Sequence, residues 1–100
     1  MTTVYLEESR EAYVIEAEGH ATGNQDVCAA LSMLLTMAAN WTVASGYEEE
    51  QVLSDGYARV VIPRELRGAR TVFNLIKVGI DGLEKNFGDF VKKGTKFGQD

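Results

Sequence analysis

Val27 to Ala44 is a run of 18 residues without one charged side chain, and no other feature limits the fold so severely. Eighteen residues is the lower limit for a membrane span. Ser32, Thr36, Asn40 and Thr42 interrupt this run, much of the rest is Ala, and no basic flank anchors it. It therefore reads as a buried helix, and no membrane association is expected. Asp26 is the expected N-cap, and Gly46 is expected to end the helix just after Ser45. Val27, Leu31, Leu34, Leu35 and Ala38 form one stripe, while Met33, Met37 and Trp41 spread apolar surface to other faces. Such breadth predicts cover on two sides, by a second helix, a sheet or another subunit.

The segments that flank the run read as strands and a second helix. Thr3–Leu6 and Ala12–Ala17 are short β-branched and aromatic runs joined by Glu8-Ser9-Arg10-Glu11, which predicts a hairpin. Gln51–Leu53 and Tyr57–Ile62 flank Ser54-Asp55-Gly56, and Asp-Gly between apolar runs predicts a second hairpin. Residues 69–87 carry Val72, Phe73, Ile76, Ile80, Leu83 and Phe87 at helical spacing, with Gly79 and Gly82 inside. Each glycine costs about 1 kcal/mol of helix propensity relative to Ala, so close packing is expected to compensate. A short strand is expected at Asp89–Lys92. The order is β-β-α-β-β-α-(β), an α+β domain with two helices on an antiparallel or mixed sheet. In a chain of 100 residues there is room for one core. Residues 1–92 are expected to form that domain, and 93–100 a flexible C-terminal tail.

Charge is unevenly placed. Up to residue 56 there are ten acids against Arg10 alone, a sum of −9, whereas residues 57–100 carry nine bases and five acids, or +4. The net charge of −5 disfavours nucleic acid and suits a basic peptide partner better. Glu48–Glu50 also reads simply as a solvated turn.

One Cys excludes an intrachain disulfide, and with one His the chain has neither the residues for a Cys-rich zinc site nor a His-rich metal pattern. No metal and no cofactor are expected. The lone thiol fits a reducing compartment. Glu7 and Glu8 fall where a secretory signal would be apolar, so a cytoplasmic location is expected. His20 ends a strand and Cys28 opens a helix, with a turn-rich segment between. A thiol becomes a useful nucleophile when its thiolate is populated near pH 7, which a helix N-terminus and a neighbouring imidazolium both favour. His20 as general base, Cys28 as nucleophile and the amides of Cys28 and Ala29 as oxyanion donors would form an acyl-transfer device. Ser32 lies one turn after Cys28 on the same side, and its hydroxyl also fits a bond back to a helix carbonyl. The other reading is structural: a Cys on an apolar helix is ordinarily a small buried hydrophobe, and a strand-end His a solvated cap.

Gly19-His20-Ala21, Gly23 and Val27-Cys28-Ala29-Ala30-Leu31-Ser32 resemble the signature of the ribosomal-processing cysteine protease (Prp) family. Asp55-Gly56-Tyr57 and the run from Val72-Phe73 to Phe90-Val91 are similar to that family's C-terminal half. The resemblance covers nearly the whole chain and is most specific over residues 19–32. It implies a Cys-His dyad at His20 and Cys28, a homodimer, and no cofactor. It also implies a peptide or protein substrate, an N-terminal extension of a ribosomal protein or of a phage capsid or scaffold protein. Two features depart from the family pattern. The segment between His20 and Cys28 is about three or four residues shorter, and Gln25 stands where the family has an acid, leaving Asp26 as the nearest carboxylate and a supporting candidate beside Gly19. A short-loop branch acting on a different substrate, from a phage or prophage, accounts for both. The alternative from another class is a catalytically silent dimeric module of the same fold that binds a protein partner.

Overall fold

The computed structural model describes residues 1–19, 24–47 and 51–95. The first hairpin pairs β1 (Thr2–Glu8) with β2 (Ala12–Gly19) antiparallel, each longer than the predicted runs. Its turn is closed by Ser9, whose amide and hydroxyl both donate to the Ala12 carbonyl and whose Oγ accepts from the Ala12 amide. Helix α1 spans Gln25–Ala44. Gly46 follows it in the left-handed region, with φ 99°, the conformation that terminates helices on glycine. The second hairpin joins β3 (Val52–Ser54) to β4 (Tyr57–Pro63) through Asp55 and Gly56, the latter at φ 78°. Helix α2 covers Ala69–Asn86, and β5 covers Val91–Gly94.

The sheet runs β3-β4-β2-β1-β5. Three of its pairings are antiparallel, and β5 lies parallel to β1, so the sheet is mixed. β5 begins two residues later than the predicted strand and continues beyond residue 92, where composition set the end of the domain. Gly94 fits there because it sits under Tyr5: a Cβ on it would lie 2.8 Å from the Tyr5 ring.

Alternation along the strands sorts the two faces. Val4, Tyr13, Ile15, Ala17, Ala58, Val60 and Ile62 point to one side and are buried beneath both helices. Phe73, Ile76 and Ile80 of α2 complete this core, with the Phe73 ring stacked on Tyr13 at 4.7 Å between centroids. Phe87, expected on that face, is the C-cap of α2 and is 40% exposed. The uncharged run is covered on two sides, by the sheet and by α2, but Met33 and Met37 remain exposed. Val27, Leu31, Leu35, Ala38, Ala39 and Thr42 are buried, while Leu34 and Trp41 are partly buried on the side of α2. Among the described residues α1 is the one helix long and apolar enough to cross a membrane; here one side of it packs on the sheet and another on α2, and the rest stays exposed. The opposite sheet face carries Tyr5, Glu16, Glu18, Tyr57 and Arg59. Tyr57 donates its hydroxyl to the buried Glu16 carboxylate, and Tyr5 donates to Glu18 at 3.1 Å.

Candidate active site

The strand that leads to His20 ends at Gly19, which has φ +94°. A Cβ there would also lie 2.5 Å from the Met1 carbonyl oxygen, so both backbone angle and space demand glycine. The Gly19 amide donates to the Gly56 carbonyl at 2.9 Å. This bond ties the end of β2 to the β3–β4 turn. His20 itself, with residues 21–23, lies outside the described residues.

Across from Gly19, α1 begins at an extended Asn24, with φ −143° and ψ 94°. The Asn24 Oδ1 accepts from the Val27 amide at 3.1 Å, so Asn24 is the N-cap and not Asp26. Asp26 instead occupies the first turn, exposed, where a carboxylate complements the helix dipole. The frame shift changes the oxyanion assignment. With Asp26 as cap, the amides of Cys28 and Ala29 would lack intrahelical acceptors. With Asn24 as cap, the Cys28 amide donates to the Asn24 carbonyl at 3.3 Å, and Ala29 falls beyond the open first turn. Those two amides are therefore not the free donors that sequence assigned to them.

Cys28 is half-buried and packs on the edge of the core. Its side chain borders an open cleft of about 210 Å³ whose lining includes Gly19, Cys28, Ser32, Asp55, Gly56 and Tyr57. The structure thus brings together three of the candidates, Gly19, Cys28 and Ser32, and leaves Ala29 and Asp26 off the lining. Ser32 is exposed at the cleft. Asp55 is the charged member of the described lining and was legible in the sequence only as a turn residue. The register that places Glu18 opposite Tyr57 carries the Asp55-Gly56 turn to the end of β2, and pairing at that separation leaves no local signal. Among the described residues, no three His, Cys, Asp or Glu side chains gather as metal ligands would. What this arrangement offers is a thiol at the head of a helix, facing an open cleft next to the residue that precedes the chain's one imidazole.

No family model matches the sequence, and no curated protein is similar to it. Solved structures are similar. The essential ribosomal processing protease Prp from S. aureus, in complex with a substrate peptide, superposes with a TM-score of 0.77 at 17% identity, covering 96% of this chain and 100% of that one. The same protease with a covalently linked product peptide gives 0.71 at 18%, with the same coverage. The protein SMU.848 from Streptococcus mutans gives 0.66 at 24%, covering 96% of this chain and 99% of its own. Nearly the whole chain therefore has the fold of the ribosomal processing protease Prp.

Proposed function

We propose that this chain is a cysteine endopeptidase of the ribosomal-processing type. The observation that carries the reading is that Gly19, the residue before His20, and Cys28 line one cleft. The strand end and the helix start that bear the motif residues converge there. Similarity to a protease solved with substrate and product peptides supports a peptide or protein as substrate.

In this reading His20 takes the proton of the Cys28 thiol, and Sγ attacks the scissile carbonyl carbon. The tetrahedral intermediate collapses, the C–N bond breaks, and His20 gives its proton to the leaving amine. Water then attacks the thioester with His20 as base, releasing the carboxylate product and restoring the thiol. Ser32 borders the cleft as a polar contact for the peptide, and Asp26 supports the start of the helix. No cofactor enters. The substrate is an N-terminal extension of a ribosomal protein or of a phage capsid or scaffold protein, cut in the cytoplasm by a homodimer.

The test is chemical. Near neutral pH, iodoacetamide is expected to alkylate Cys28 faster than a model thiol, and His20→Ala to slow that reaction at least about tenfold. Mass spectrometry of ribosomal and capsid proteins incubated with the enzyme is expected to show one shortened N-terminus that disappears with Cys28→Ser. Equal, slow labelling of parent and His20→Ala, with no fragment, would overturn the dyad and leave the silent binding module.

A further inference from the structure

A second hollow of about 380 Å³ adjoins the cleft and is lined by Ser32, Leu35, Thr36, Leu53, Asp55 and their neighbours. Both depressions share Ser32, Leu35, Ser54, Asp55 and Ala58, so they form one groove between α1 and the β3–β4 hairpin. Its floor is apolar, from Leu35 and Ala58, and its rim is polar. The outer wall is β3, which stands at the end of the sheet, with no strand beyond it among the described residues.

The register says what that edge presents. Ser54 and Tyr57 flank a two-residue turn, so their main chains bond each other, and alternation makes Val52 the next bonded residue, opposite Arg59. Leu53, opposite Ala58, then turns its amide and carbonyl away from β4. Beyond Val52 the ladder is completed by a side chain: Gln51 Nε2 donates to the Val61 carbonyl at 2.8 Å, and Oε1 accepts from the Val61 amide at 3.0 Å. This amide closes the edge of β4, whereas β3 keeps its donor and acceptor pointing outward at Leu53. The Leu53 side chain is 47% exposed although it faces the helix side with buried Ala58.

We infer that the peptide substrate adds to the sheet as a short strand against Leu53, with an apolar side chain in the hollow and its scissile bond at Cys28. The inference rests on the peptidase reading and specifies how its substrate is held. Donor and acceptor at one edge residue match the alternate main-chain pairing of an added strand. Distance fits as well. Along α1, Cys28 to Thr36 is about 12 Å at the helical rise, the reach of about four extended residues.

Two series of electrophilic probes test this. One carries a chloromethyl ketone at the C-terminus of acetyl-Leu or acetyl-Ala-Ala-Ala-Leu, and the other a bromoacetyl group at the N-terminus of Leu-amide or Leu-Ala-Ala-Ala-amide. In one series the longer probe is expected to label Cys28 about tenfold faster than the shorter, and the series that does so gives the chain direction. Leu53→Pro removes the outward donor and leaves the bonds to β4, since proline is tolerated where an edge amide faces solvent. It is expected to cancel the length advantage, while Leu53→Ala retains most of it. N-methylation of the longer probe, tried on the parent protein, is expected to have the same effect and does not depend on how a variant folds. No length advantage in either series, or an advantage that survives both Leu53→Pro and N-methylation, overturns the docking mode. Failure of the peptidase reading shows separately, as iodoacetamide rates indifferent to His20→Ala.

Discussion

Asn24 decides where the helix bearing Cys28 begins, and so which backbone groups surround the thiol. An Asp directly before an apolar run is a sound cap signal, which is why Asp26 attracts that assignment from sequence. Gln25 and Asp26 are nevertheless helical, and the residue with extended backbone and an accepting side chain lies two positions earlier. Local composition does not separate these frames, because Asn24 and Asp26 lie two residues apart and both residue types cap helices well. Asn24→Ala is expected to cost about 1 kcal/mol in urea denaturation, while Asn24→Asp, which keeps an accepting oxygen, is expected to cost only a few tenths. The thiol's own placement was legible only in part: Cys28 lies on the predicted helix near its start, but as its fourth residue, with its amide already bonded to the Asn24 carbonyl.

At the scale of elements, both helices and both hairpins could be read from periodicity and turn chemistry, and the glycines of α2 show where that reading stops. Gly79 has the expected close contact, since a Cβ there would stand 2.9 Å from Leu34 Cδ2, but a Cβ on Gly82 would meet nothing within 4 Å. Identical residues on one helix therefore have different reasons to be there. Gly82→Ala is expected to stabilise the protein by up to about 1 kcal/mol through helix propensity. Gly79→Ala is expected to give no net gain, because Leu34 must move; thermal or urea unfolding of the two variants distinguishes them. The final strand was blurred for a related reason, its lysines and glycine resembling a solvated tail. Two acids on α2 hold it: Lys93 Nζ lies 2.5 Å from Asp81 and 3.7 Å from Glu84, and the Lys93 amide donates to Glu84 at 2.9 Å. The hydrogen bond to Asp81, with the charges of both acids, raises the Lys93 pKa above its usual 10.5. A raised ammonium pKa lends stability in full below 10.5, and that stability is lost as pH rises through the folded value. The group is partly exposed, so Lys93→Met is expected to cost under about 1 kcal/mol. The cost should stay flat from pH 6 to 9 and shrink only above the ordinary lysine value, as paired unfolding curves would show.

Over the whole molecule, strand order is the property that sequence withheld. β4 sits beside β2 and β5 beside β1, pairings at separations that no local pattern encodes. They interleave the acidic and basic halves, with Glu16 opposite Arg59 across the strands. The same arrangement leaves an apolar surface on the outside of the helical layer. Leu75 and Val78 lie within one turn before Gly79 on α2 and are 63% and 65% exposed, while Met33 and Met37, within one turn of Leu34 on α1, are 59% and 49% exposed. Leu34 packs against Gly79, so these side chains lie on both sides of the seam between the helices. A patch of that kind, away from the cleft lining, is where the proposed homodimer would join, each copy presenting the same surface to the other. A charge at its centre cannot be paired by an identical charge across a two-fold axis. Val78→Asp is therefore expected to raise the dimer dissociation constant at least about tenfold, the cost of burying an unpaired carboxylate or holding it in water. Sedimentation at micromolar concentration is expected to show a dimer for the parent and a monomer for the variant. Alkylation of Cys28 should be unchanged in the variant monomer, since the cleft is lined from α1 and the sheet of one chain. A parent that sediments as a monomer, or a variant that dimerises as tightly as the parent, would remove this face from the proposed assembly.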